Sequence, residues 1–87
     1  MCNFKSGAGV GGTYEKQPHM SPKKCIDHCI KKQQTNPTLN AVTVETTGGN
    51  ICYCEYNVKS WNTDTAYKSC KLPSLPSRKL QLFLSYY

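Results

Sequence analysis

Six cysteines carry most of the chemistry this sequence can offer: Cys2, Cys25, Cys29, Cys52, Cys54 and Cys70. A nucleophilic cysteine must be unpaired and next to a histidine base. An even count in a short polar chain reads instead as three disulfides formed in an oxidising compartment. Zinc is the competing use of the thiols. C-x3-C on a helix and C-x-C on a strand supply four thiolates, with His28 nearby. That arrangement strands Cys2 and Cys70, and structural zinc sites favour loop knuckles, so no metal is expected. The histidines, His19 and His28, and the five acids, Glu15, Asp27, Glu45, Glu55 and Asp64, are scattered. No acid–base pair is visible among them. Gly7-Ala8-Gly9-Val10-Gly11-Gly12 satisfies G-x-G-x-x-G but lacks the strand before it and the helix after it that hold a pyrophosphate. No cofactor is implied, and the chain is expected to bind rather than catalyse.

The elements that position these residues are short. Eighty-seven residues with 38% apolar content bury too little surface for a large core, and disulfides are a common remedy. Ser21-Pro22 starts a helix, with serine as N-cap and proline in the first turn. The helix runs to Gln33 or Gln34, with Cys25, Ile26, Cys29 and Ile30 on one face. Asp27 stands three after Lys24 and four before Lys31, the spacing of weak surface pairs. Residues 41–45 and 51–56 read as two strands joined by a Thr46-Thr47-Gly48-Gly49-Asn50 turn. Residues 3–20 read as a glycine-rich loop with a short strand near Thr13–Glu15. Residues 57–69 read as irregular, with Trp61 filling the core beneath the hairpin.

Cys25 and Cys29 lie one helical turn apart, and Cys52 and Cys54 share one strand face. Four residues of helix rise about 6 Å, and two residues of strand advance about 6.6 Å. A helix lying on the sheet can therefore be riveted twice, and spacing leaves open which cysteine takes which partner. Cys2 and Cys70 remain for a bond between the ends. The fold expected is α+β: a small disulfide-rich domain with one helix packed across an antiparallel sheet. Its body covers residues 1–71, and residues 72–87 form a C-terminal extension. There Leu80, Leu82, Leu84 and Tyr86 alternate as a closing or edge strand.

Ser21-Pro22-Lys23-Lys24-Cys25-Ile26-Asp27-His28-Cys29, Asn40-Ala41-Val42-Thr43-Val44, Ile51-Cys52-Tyr53-Cys54 and Cys70 together resemble the PAN/apple superfamily. WSC domains share the same helix and Cys-Tyr-Cys strand. They usually carry eight cysteines, often with glycine after Cys-x-Cys where this chain has Glu55, so the apple-like reading is preferred. The resemblance implies nested pairing, Cys2–Cys70, Cys25–Cys54 and Cys29–Cys52. It also implies an extracellular recognition or adhesion module for a carbohydrate or a protein.

Charge narrows the ligand. Eleven basic against five acidic residues leave a net charge of +6, which favours acidic partners. A secreted address and the lack of a nucleic-acid-binding motif argue against nucleic acid. No apolar run approaches the about 20 residues of a membrane span. Met1 reads as a start residue before a mature secreted chain, since no apolar leader region follows it. Lys23, Lys24, Lys31 and Lys32 with His28 form a cationic stripe suited to an acidic glycan. Tyr53 and Tyr56, with Trp61, offer rings for a neutral sugar. The alternative is a small basic venom or defence peptide acting on a channel, protease or microbe.

Overall fold

The computed structural model describes residues 2–73. In chain order the elements are β1 (Lys5–Ser6), β2 (Gly9–Val10), β3 (Thr13–Lys16), α1 (Pro22–Gln33), β4 (Leu39–Glu45), β5 (Ile51–Tyr56), β6 (Ser60–Trp61) and β7 (Tyr67–Lys71). Five strands form one sheet in the order β1-β7-β4-β5-β3, and β2 pairs with β6 in a separate ribbon. Every pairing is antiparallel. The helix lies across one face of the sheet, so the domain is a small disulfide-rich α+β fold. No helix among the described residues is long and apolar enough to cross a membrane. The alternating segment at 79–87 lies outside the described residues.

The helix begins as its first residues dictate. Ser21 is the N-cap, and its hydroxyl accepts the Lys24 amide at 3.3 Å, with proline in the first turn. Cys25, Cys29 and Gln33, spaced by four, are its buried row. Among the described residues, six of the eleven buried apolar ones are half-cystines; Leu39, Ala41, Val42, Val44 and Leu72 supply the rest. The bridges are thus a large part of the core as well as its cross-links. Phe4, Met20, Ile26, Ile30 and Tyr56 close its rim. Leu72 is buried and its amide bonds Asn40 O at 2.9 Å, so packing continues past residue 71.

All six cysteines are bridged, but the inner pairs differ from the nested scheme. The bonds are Cys2–Cys70, Cys25–Cys52 and Cys29–Cys54, with Cα separations of 5.2, 5.6 and 5.5 Å. The reason is chain connectivity. Before the helix, Gln17 N bonds Cys52 O and Met20 N bonds Asn50 O, which sets the helix start beside the start of β5. After it, the amides of Gln34, Thr35 and Asn36 bond back onto carbonyls of Lys31, Lys32 and Gln33, and Leu39 N bonds Asn36 O. This coiled link sets the helix end beside Leu39, which is paired with Tyr56 at the end of β5. The helix therefore runs in the same sense as β5, and Cys25 meets Cys52 while Cys29 meets Cys54.

Two further expectations are corrected. The stretch 57–69 is not irregular throughout: it contains β6 and the start of β7, and β7 lies between β1 and β4. Its inward positions are Ser69 and Cys70, held by a hydroxyl bond to Gly7 O and a disulfide rather than by bulky apolar side chains. Trp61 does not fill the core; it sits on the ribbon at 43% exposure. The one ion pair among the described residues joins Lys32 Nζ to the Glu15 carboxylate at 3.0 Å, rather than Asp27 to Lys24 or Lys31.

Gln33 ties the helix end to the rest of the domain. Fully buried, its Nε2 donates to Leu39 O at 2.8 Å and to Pro73 O at 2.9 Å. Gln33→Leu removes both donors and leaves carbonyls without those partners, a loss of about 1–3 kcal/mol. The urea midpoint of the variant should fall accordingly; an unchanged midpoint contradicts the role given to this amide.

Candidate functional site

Side chains of directly paired strand residues share a face, so the registers place every group on the sheet. Cys52, Cys54, Val42, Val44 and Cys70 face the helix. The opposite face carries three rows. Lys71, Ala41, Glu55 and Tyr14 form the first, and Lys5, Ser69, Thr43, Tyr53 and Lys16 the second. Tyr67, Glu45 and Ile51 form the third.

The ribbon β2–β6 lies over part of this open face. Gly9 comes so close that a Cβ there would meet Glu55 Oε1 and a Val58 methyl, both at 2.8 Å. Gly7 has a φ of +123°, and its carbonyl accepts from Ser69 Oγ at 2.6 Å. The glycines of the G-x-G-x-x-G stretch thus serve close approach of ribbon to sheet. Beneath runs a buried polar row. The Thr43 hydroxyl donates to Glu55 Oε1, and the Thr43 and Ser69 hydroxyl oxygens lie 2.6 Å apart.

Two concavities flank that row. The first, of about 470 Å³, is lined by Asn3, Lys5, Trp61, Ser69 and Lys71 among others. It joins a half-exposed indole to two ammonium groups. The second, of about 350 Å³, is lined by Tyr14, Tyr53, Tyr67, Glu55, Asn62 and Asp64 among others. The rings of Tyr14 and Tyr53 meet edge to face at 5.4 Å, and Tyr53 Oη donates to Glu45 at 3.1 Å.

The tyrosines report the surrounding charge. Burial, followed by the hydrogen bond and charge of Glu45, raises the Tyr53 phenol above its usual range. Tyr67 is raised first by the charge of Glu45, then by burial and by Asp64. Tyr56 is raised by burial and by its bond to Glu15, while hydrogen bonds from Lys32 and Tyr56 lower the Glu15 carboxyl. Glu45→Gln should therefore lower the titration midpoints of Tyr53 and Tyr67 and leave Tyr56 unmoved. Ring-carbon NMR of tyrosine-labelled protein measures this, and unchanged midpoints at Tyr53 and Tyr67 contradict the assigned cause.

The residues singled out in the sequence separate onto two faces. Lys23, Lys24 and Lys31 are exposed on the helix, whereas Lys32 is engaged by Glu15. His28 Nε2 lies 2.8 Å from Gln17 Oε1, and His19 Nδ1 lies 3.0 Å from Gly49 O. Tyr53 is on the open face, but Tyr56, three positions on, is on the helix side with its hydroxyl donating to Glu15 at 3.0 Å. Tyr53, Tyr56 and Trp61 do not form one platform. Sequence reasoning missed Lys5, Lys71, Tyr14 and Tyr67 because they come from three short strands, β1, β3 and β7, far apart in the chain. The sulfurs of Cys25, Cys29 and Cys52 lie within 4.8 Å of one another, as in a metal cluster. Each is in a disulfide, and a bridged sulfur is no thiolate ligand.

Comparison with models of known protein families, with curated proteins and with solved structures finds no match.

Proposed function

We propose that this chain is an extracellular recognition module that binds an acidic carbohydrate through the Trp61 concavity. The observation that carries the reading is the placement of Trp61. The largest side chain of the sequence stands 43% exposed beside Lys5 and Lys71 while the core is closed by half-cystines and aliphatic residues. An indole face stacks on the apolar face of a pyranose ring, and two ammonium groups answer carboxylate or sulfate. Asn3 adds an amide that donates to and accepts from hydroxyls. A site braced by three disulfides is largely pre-formed, which lowers the ordering cost of binding. Three bridges also fit an oxidising, extracellular setting. The resemblance of the cysteine spacing to PAN/apple and WSC domains supports the same class, although the inner bridges pair differently.

A glycan array probed at two salt concentrations tests the proposal. Retention of sulfated or uronate-bearing chains that falls steeply as salt rises is expected, because exposed charge pairs are screened over about 8 Å at physiological strength. Equal binding to neutral sugars, or no binding to any acidic glycan, overturns it and moves a protein ligand ahead.

A further inference from the structure

The second concavity has chemistry opposite to the first. We propose that it binds an organic ammonium group, primary or quaternary, between the rings of Tyr14, Tyr53 and Tyr67 and the carboxylate of Glu55. This goes beyond the glycan reading and rests on a different cavity.

The chain has five acids among eleven basic residues, yet two of the five, Glu55 and Asp64, line this one concavity. A third, Glu45, holds the Tyr53 hydroxyl beside it. None of the three has a cationic partner among the described residues, where the one ion pair is between Lys32 and Glu15. Glu55 is the telling case because it is only 7% exposed. Its Oε1 takes the Thr43 hydroxyl, and Oε2 has no hydrogen-bond partner among the described residues. Among the described residues no fully enclosed side-chain oxygen or nitrogen lacks a partner, so Oε2 keeps contact with solvent, and Glu55 lines this concavity. A carboxylate this buried is costly unless a cation or a full set of donors compensates it.

The rings point to the same ligand independently. Aromatic faces carry negative electrostatic potential and attract cations within about 6 Å of the ring centre. Tyr14 is 68% exposed on an edge strand and edge-to-face with Tyr53. Its ring is therefore held in place by a neighbour while much of its surface remains open. The raised titration of Tyr53 and Tyr67, driven in part by Glu45 and Asp64, is what a region of negative potential produces. Lys16, paired with Tyr53 on β3, shares this face but does not line the cavity.

The test is an NMR titration of the full chain with three probes: choline, N-acetyl-lysine amide and the uncharged choline isostere 3,3-dimethylbutan-1-ol. Saturable shifts of the Tyr14, Tyr53 and Tyr67 ring signals with an ammonium probe, and much weaker ones with the isostere, are expected. A preference for choline marks a free quaternary ammonium as the natural ligand type. A preference for the lysine amide marks a protein side chain, and either supports the site. Tyr14→Ala should weaken binding about two- to five-fold, the effect of one exposed cation–π contact. Glu55→Gln should weaken it tenfold or more, by removing the buried counter-charge of the ammonium group. Lys16→Gln should strengthen it by removing a like charge. If Glu55→Gln does not fold, Tyr14→Ala on the edge strand still decides. The proposal is overturned if the isostere binds as tightly as both ammonium probes, or if neither ammonium probe moves the three tyrosine rings.

Discussion

Reducing the three disulfides should unfold the domain in the absence of denaturant. The bridges close segments with sequence separations of 68, 27 and 25. On the chain-entropy view each such closure is worth roughly 3–4 kcal/mol. The total stability of a small domain is about 5–15 kcal/mol, so losing all three removes most or all of it. The half-cystines also make up more than half of the buried apolar residues among those described, and reduction loosens their packing as well. Circular dichroism should show loss of helix and sheet together as reductant is raised. A reduced chain that keeps its cooperative thermal transition contradicts this view of the core. Single-bridge variants separate the contributions. Cys25→Ala with Cys52→Ala frees the helix start, and Cys2→Ala with Cys70→Ala frees β1 from β7.

The largest functional effect is expected at Trp61. Truncating a central aromatic contact costs 2 kcal/mol or more at a binding hot spot, roughly thirty-fold in affinity. Trp61→Ala should therefore nearly abolish retention of an acidic glycan. Because the side chain is half exposed on a two-residue strand, stability should move little. Lys5→Gln with Lys71→Gln should flatten the salt dependence and weaken binding about tenfold, since each ammonium contributes charge-assisted bonds. Lys24→Gln with Lys31→Gln, on the far side of the sheet, is the control and should leave retention unchanged. If the helix pair abolishes binding and the Trp61 variant does not, the site is the lysine stripe and not the concavity.

Much of the frame was legible in the sequence, for reasons that are local. Ser21-Pro22 is a strong helix start, and the helix ends at Gln33 as its periodicity indicates. The alternation of 41–45 and 51–56 matches β4 and β5, with Gly49 and Asn50 at positive φ in the turn. The riveting of helix to hairpin follows from matching a helical turn to a two-residue strand step. The sense of the helix was also within reach, since a short, turn-rich link from 34 to 38 keeps the helix end close to the start of β4. The nested inner pairing that the family resemblance implies conflicts with that constraint. Gln33 continues the row of Cys25 and Cys29, yet its polarity hid its burial.

What was not legible is what depends on distant segments. β7 reads as Tyr-Lys-Ser-Cys-Lys, with no apolar alternation. It becomes an interior strand because the Ser69 hydroxyl donates to Gly7 O and packs against the Thr43 hydroxyl, and Cys70 reaches Cys2. Tyr53 and Glu55 are two apart on one strand, so half of the tyrosine concavity is local. Tyr14 and Tyr67 join it only through sheet order, and Asp64 through the turn that leads into β7. Lys5, Trp61 and Lys71 likewise come from three strands, and no spacing rule links them. The lysines clustered on the helix were conspicuous because helix periodicity is a local signal.

The most direct measurement is amide and indole NMR mapping of the full chain with a sulfated oligosaccharide at low salt. Binding through the proposed site shifts Asn3, Lys5, Lys71 and the Trp61 indole, and raising the salt reverses the shifts. Shifts confined to Lys23, Lys24 and Lys31, or none at any residue, contradict an acidic carbohydrate seated on the Trp61 concavity.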